Sequence, residues 1–400
     1  MLIYESTLTP SYTGDTFSIM AVNSGLEGVV AATTHLSDVD GERGELVIAG
    51  YPVGELADAA TFEETTWLLW HGDLPSASQL DAFRADLAAQ RELPPATLTL
   101  LRECARSGIE PMDALRIAAG TISLTSDDAC AIVARFPTIV AAFWRLQRGG
   151  EPIPPRRHLG HAANFLYMLN GDEPQPERVR ALETYLNTVV DHGLNASTFT
   201  ARVIASTGSD LVSSIVGALG ALKGPLHGGA PGPALDMVFE IGDASRAEEM
   251  LRRKIERGEK LMGFGHRVYK VRDPRADVLA ATAERMFTRG GDMSLYALAR
   301  SVEATAIRLL EEYKPGRRLQ TNVEFYTALL LHGLGLDVPL FTPTFAISRV
   351  SGWIAHVMEQ RRANRIIRPQ SEYAGPRDRR WAPLSARTNS AAAGSISPVG

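Results

Sequence analysis

The chain has 400 residues and a mass of 43.3 kDa, long enough for two or three domains of ordinary size and a substantial buried core. Hydrophobic residues make up 45% and charged residues 22%, which excludes a chain that is disordered, collagenous or coiled coil throughout. The 41 Lys and Arg against 46 Asp and Glu leave a net charge of −5, too mild to point to a nucleic-acid or membrane partner.

The opening MLIYESTLTPSYTGDTF lacks a basic segment followed by an apolar run, so it does not read as a signal peptide. Only two cysteines occur, Cys104 and Cys130, both in helix-like sequence. Together these features predict a reducing, cytoplasmic setting without a disulfide scaffold or a cysteine-rich metal site. Residues 33–51 carry a DG turn and then LVIAGY, which predicts a short β-hairpin and is nearly the only strand signal.

Beyond it, helical patterns dominate. Thr61 with Glu64 and Ser76 with Gln79 have capping-box spacing ahead of apolar runs. QRGGEPIPPRRHLGH (147–161) interrupts the pattern and predicts a loop. The most apolar stretches, 211–222 and around 329–336, fall short of the roughly 18 uninterrupted apolar residues of a membrane span. Ser245 and Glu248 again have capping-box spacing and predict a helix between two glycine-rich turns, KGPLHGGAPGP (223–233) and GFGH (263–266). After Trp381 large apolar residues almost vanish, and the tail 382–400 reads as disordered.

Three of the nine histidines, His192, His227 and His266, sit among small or polar residues, the last two beside glycines whose backbone can approach a ligand closely. Each alone reads equally as a hydrogen-bonded histidine at a turn. His71, His332 and His356 read as helix residues with packing or surface roles. With no HExxH and no CxxC, no metal site is predicted. Arg275, Arg349 and Arg368 stand beside proline or in apolar sequence, where a guanidinium needs a carboxylate or phosphate. A small dicarboxylate ligand would supply one, and an internal salt bridge would serve as well. Glu324 opens an apolar helical run, either as a base or as a residue favouring the helix N-terminus.

Read in order, ANFLYML (163–169), DHGLNAST (191–198), KGPLHGGA (223–230), GFGHRVYKVRDPRA (263–276), NVEFY (322–326) and IIRP (366–369) resemble the citrate synthase family. The early SDVDGERGELVIAGYPVGELA and FEETTWLLWHGDLP also resemble that family's amino-terminal region, so the likeness covers most of the chain.

The resemblance implies a nearly all-α, two-domain fold with a short N-terminal β-hairpin. Residues 1–222 and 330–381 would form the large domain and 223–329 a small domain that closes over the active site. It implies condensation of acetyl-CoA with oxaloacetate and hydrolysis of the citryl thioester to citrate and CoA, with the acyl-CoA as substrate and no resident cofactor. By the same resemblance His227 stabilises the enolate, His266 polarises the keto carbonyl, and Glu324 stands where the family's base stands. His192, His266, Arg275, Arg349 and Arg368 are the oxaloacetate ligands, Arg368 coming from the second subunit of a homodimer. Leu261, Met262, Gly263, Phe264, Gly265 and Lys270 match the CoA-binding turn.

One position departs: the family's motif reads NVDFY, and this chain reads NVEFY. The extra methylene displaces the carboxylate by about 1 Å, enough to cost roughly 100-fold if nothing compensates. The expectation is a working citrate synthase with a relocated base. A 2-methylcitrate synthase using propionyl-CoA, or a paralogue that binds oxaloacetate or acyl-CoA with weak or no turnover, are the alternatives.

Overall fold

The structure is a computed structural model that describes residues 24–124, 128–228, 231–266, 268–289 and 293–387. Strands β1 (Ser37–Asp40) and β2 (Glu45–Ile48) pair antiparallel around the predicted turn. The hairpin extends further than the sequence pattern predicts. Ala49 (φ 46) and Gly50 (φ 91) turn the chain back at once, and β3 (Tyr51–Pro52) pairs with β2 to make a three-stranded sheet.

The rest is helical. The first five helices are α1 (Val53–Ala59), α2 (Phe62–His71), α3 (Ala77–Ala89), α4 (Pro95–Arg106) and α5 (Pro111–Ala119). Thr61 and Ser76 form the capping boxes expected of them, each side chain accepting from the third backbone N–H while that residue's side chain reaches back. Helix α6 (Ala129–Gln147) is the most apolar long element, and length and composition alone would let it cross a membrane. It is a core helix, buried continuously from Ala131 to Phe143 and packed against α4 and α5.

The predicted loop 147–161 joins it to α7 (His161–Asn170). There follow α8 (Pro176–Val189), α9 (Ala196–Ser206), α10 (Leu211–Leu222), α11 (Pro231–Ile241) and α12 (Ala247–Glu256), then α13 (Pro274–Thr288), α14 (Met293–Tyr313), α15 (Val323–Gly333) and α16 (Phe341–Arg362).

The capping box predicted at Ser245 does not form. Asp243 stands two residues ahead and takes both the N–H (2.8 Å) and the hydroxyl (2.5 Å) of Ser245, which winds Ala244–Arg246 into a 3₁₀ turn. The carboxylate outcompetes the hydroxyl for the free N–H groups, and Glu248 pairs with Arg252 and Arg308 instead.

Helix α16 runs through the core. Val350, Trp353, Ile354 and Val357 are buried, and its sides pack on α2, α6, α8, α9 and α10. Helix α13 packs on α8, α15 and α1. The N-terminus of α13 and that of α15 therefore open beside the turn between α8 and α9. Both cysteines are free, in α4 and α6. Beyond Arg362 the described chain is extended and mostly exposed. Within the tail expected to be disordered, Leu384–Ala386 makes a 3₁₀ turn, while residues 388–400 lie outside the described residues, as does the opening segment 1–17.

Candidate active site

The turn Asp191–Gly193 is held from three sides. Asp191 is fully buried, and its Oδ2 accepts from Ser37 Oγ (2.5 Å) and from the N–H of Gly193 (3.3 Å). Its carboxylate stands 3.2 Å from His356 Nε2, whose other nitrogen lies 3.0 Å from Arg202 Nη1. An arginine can only donate, so Nδ1 of His356 is the acceptor and its proton sits on Nε2, toward Asp191. Burial alone would raise the Asp191 carboxyl, but the His356 and Ser37 contacts and the Arg349 charge outweigh it and hold the group below its usual range. Gly352 lets α16 approach: a Cβ there would lie 2.4 Å from Val190 O.

This scaffold presents His192. Its Nε2 lies 3.1 Å from Tyr269 Oη and its ring meets His266 edge-on at 5.7 Å. Burial, then the charges of Arg275 and Arg349, drive its basicity well below the ordinary value, so it is neutral.

His266 has a determined tautomer. Nδ1 accepts the backbone N–H groups of Val268 (3.0 Å) and Tyr269 (3.1 Å), so the proton of the neutral ring is on Nε2. Burial and then Arg275 lower its pKa to about 4, against the opposing charge of Asp273. Nε2 and Arg275 Nη2 stand 3.4 Å apart, two donors side by side, Nη2 already donating to Asp273.

Arg275 opens α13 just after Pro274, and the capping residue Asp273 accepts its N–H (3.0 Å), its Nε (3.0 Å) and its Nη2 (2.8 Å). The same carboxylate accepts the N–H of Val323 at 3.2 Å, fastening α13 to α15. The internal salt bridge that sequence left open for Arg275 is thus present. Arg349 differs. It is buried on α16, its Nε donates to Val189 O at 2.7 Å, its guanidinium lies over the Phe345 ring, and no carboxylate among the described residues is within ion-pair distance. Burial pulls its pKa down to about 10. Of these two buried guanidiniums only Arg275 has a carboxylate in ion-pair distance among the described residues, which leaves Arg349 able to take an anion.

Glu324 lies in the first turn of α15, half-buried. The cap is Asn322, whose Oδ1 accepts the Glu324 N–H at 3.0 Å, so the glutamate side chain does not serve the helix end. Its carboxylate makes no side-chain hydrogen bond or ion pair among the described residues. Burial pushes its pKa up to about 7, with Arg275 and Arg349 opposing and Asp273 adding.

The segment Leu261–Gly265 is laced to the residues before Glu324. Asn322 N–H donates to Gly263 O (3.0 Å), Asn322 Nδ2 to Gly265 O (2.8 Å) and Gly265 N–H to Gln320 O (2.7 Å). Gly263 has φ +87 and a Cβ there would come within 2.9 Å of the Phe325 side chain, so only glycine fits. Leu261 is buried, Met262 and Phe264 half-buried, and Phe264 packs on Phe325. Lys270 is exposed, its backbone N–H held by Gly41 O at 2.8 Å.

His227 is half-buried in the turn after α10; Gly229 and Ala230 of that motif lie outside the described residues. Its Nε2 is 2.8 Å from Ser197 Oγ, which also accepts from Trp353 Nε1 (3.1 Å) and stands 2.8 Å from Asn195 Oδ1. Burial, then Arg349, lower its pKa to about 4, so it too is neutral.

The fold therefore joins His192, His266 and Arg275 in direct contact, with Arg349, Glu324 and His227 in the same field of charge. Arg368 is exposed and meets none of them within this chain. Sequence reasoning missed Tyr269, Asp273, Ser197, Asp191 and His356. Ser197 and Asp191 lay inside DHGLNAST, and Asp273 preceded a proline as caps do, but nothing local marks the partner of any of them. Cavities of about 300 Å³ at Trp144–Asp337 and about 460 Å³ at Glu63–Glu183 lie elsewhere. Among the described residues no group of three or more His, Cys, Asp or Glu is arranged to hold a metal.

Known proteins are similar to this chain over most of its length. The family model "Citrate synthase, C-terminal domain" matches residues 25–370. A citrate synthase of Haloferax volcanii is 41% identical over 91% of this chain and 98% of its own length. A 2-methylcitrate synthase of Mycobacterium tuberculosis is 40% identical over 90% of this chain and 92% of its own. The crystal structure of citrate synthase from Pyrobaculum aerophilum superposes with a TM-score of 0.84 at 39% identity, over 96% of this chain and 100% of that one.

Proposed function

The chain belongs to the citrate synthase family and is an acyltransferase of that type, and from this we propose that it condenses acetyl-CoA with oxaloacetate and hydrolyses the citryl thioester. The observation that carries this reading is the pair of buried guanidiniums, Arg275 held by Asp273 and Arg349 with no carboxylate in ion-pair distance among the described residues, with the Nε2–H of His266 beside Arg275. A keto dicarboxylate satisfies all three: its carboxylates take the guanidiniums and His192, and its keto oxygen takes the His266 proton.

Glu324 then removes a methyl proton from the thioester. A thioester α-proton is weakly acidic, so the enolate oxygen must be met by a donor as it forms, and His227 fills that role. The methyl carbon attacks the keto carbon, His266 gives its Nε2 proton to the new alkoxide, and water cleaves the thioester to release CoA. The segment Leu261–Gly265 and Lys270 would hold the CoA, and no resident cofactor or metal takes part. Residues 223–329 would close as a small domain on the large domain of 1–222 and 330–381, excluding water.

Thiol release by purified protein tests this directly. CoA should appear only when oxaloacetate is present, and faster from acetyl-CoA than from propionyl-CoA. One methylene in an acyl pocket is worth about 10- to 200-fold, so the preference is measurable. No release with either thioester removes the proposal, and a faster propionyl reaction reassigns the product to 2-methylcitrate.

A homodimer in which Arg368 reaches the partner's site is part of the same proposal. Its support is the extended segment after Arg362, which carries the exposed apolar residues Ile366, Tyr373, Trp381 and Leu384 as well as the exposed Arg368. Arg368→Ala and His266→Ala proteins, each inactive alone, should regain about a quarter of wild-type activity when unfolded and refolded together. Half of the dimers are then mixed, and each mixed dimer has one intact site. Absence of recovery would place Arg368 outside the site.

A further inference from the structure

The inward stripe of α8 is Leu182, Tyr185, Leu186 and Val189, all buried at helical spacing. Its last turn is bonded to α16: Leu186 O accepts Ser348 Oγ and Val189 O accepts Arg349 Nε. Tyr185 stands one turn before Val189 on this face, beside the arginine. Its hydroxyl is buried and has no hydrogen-bond partner. Buried hydroxyls without partners are rare because they forfeit their water, and at a site that closes on substrate the missing partner is supplied by closure. Helix α8 contacts α15, the helix that carries Glu324, and after burial the charges acting on the phenol are Glu324, Arg349 and Arg275. Glu324 also lacks a side-chain partner, and a phenol donor and a carboxylate acceptor complement each other.

We propose that Tyr185 is a positioning residue whose hydroxyl donates to the Glu324 carboxylate when the site closes. The inference rests on the condensing reading above and explains how that reading accommodates a glutamate. Glutamate has one more torsion than aspartate, so an untethered carboxylate samples positions that miss the methyl proton. A hydrogen bond from a neutral phenol to the charged carboxylate fixes the group and favours its basic form.

Tyr185→Phe should lower kcat about tenfold and move the acid limb of kcat/KM for acetyl-CoA about one unit to higher pH. Oxaloacetate affinity should be unchanged and the melting temperature equal or higher, since the hydroxyl removed has no partner in the free protein. In a Glu324→Asp background the same change should alter kcat less than about threefold, because the shorter carboxylate does not reach the phenol. Unchanged kcat and pH limb in an otherwise active enzyme would overturn the inference alone. A loss appearing only in oxaloacetate affinity would also overturn it, making Tyr185 a substrate ligand. Absence of wild-type turnover would instead overturn the condensing reading itself. If Tyr185→Phe does not fold, a fluorotyrosine at 185, a stronger donor, should move the limb to lower pH, and no shift would be equally fatal.

Discussion

Glu324→Gln is expected to lower turnover by about 1,000-fold while leaving oxaloacetate binding intact, the middle of the range for loss of a positioned general base. The amide keeps the shape and cannot take a proton. Near-normal CoA release from the variant would remove Glu324 as the base. The same side chain sets the pH dependence. With its pKa pushed up to about 7 by burial, the active basic form fills in as pH rises through 7, so kcat/KM should climb there and level off above.

Stability should move the other way. The unfolded chain releases this proton near the ordinary glutamate value of about 4.5 and the folded chain near 7, so between those values the folded state binds more protons and its stability falls with rising pH. Glu324→Gln removes that penalty. The variant should therefore melt at a higher temperature than wild type at pH 8 and at an equal one at pH 4. A dead enzyme that is also less stable at pH 8 would mean that Glu324 holds structure.

The local signals in the sequence carried the fold further than the site. Capping residues Thr61 and Ser76 and the DG turn name their elements because each signal and its partner lie close along the chain, three residues apart at the caps and five across the turn. The Ser245 cap failed for the same kind of reason, since a stronger acceptor, Asp243, stood two residues away. At the site, the histidine and arginine turns were legible through the resemblance they carry. Their supports were not, because Asp191 meets His356 across 165 residues and His192 meets Tyr269 across 77. Spacing along the chain holds no information about such pairs until α16 and α13 pack. Helix α6 shows the converse: its composition alone fits a membrane span, and only its burial against α4 and α5 shows that it belongs to a core.

His227→Ala is expected to cost about 100- to 1,000-fold in kcat, the loss seen when one donor to a developing oxyanion is removed. The neutral ring has a single proton, and to donate from Nδ1 it must leave Nε2 bare. Nε2 faces Ser197 Oγ at 2.8 Å, and that hydroxyl has one proton to give, either to His227 or to Asn195 Oδ1. Trp353 Nε1 donates to the same oxygen from the other side, so it cannot satisfy His227. Asn195 Oδ1 can only accept, so the Ser197 proton sets the tautomer: given to Asn195 it leaves the imidazole proton on Nε2, and turned to Nε2 it puts that proton on Nδ1, as the proposed enolate role requires. Ser197→Ala should consequently lower kcat about tenfold with little change in KM for oxaloacetate, whose ligands it does not touch. In a His227→Ala background the serine change should add almost nothing, because its effect runs through that ring. Two independent, multiplying losses would show that Ser197 acts on something other than the His227 proton.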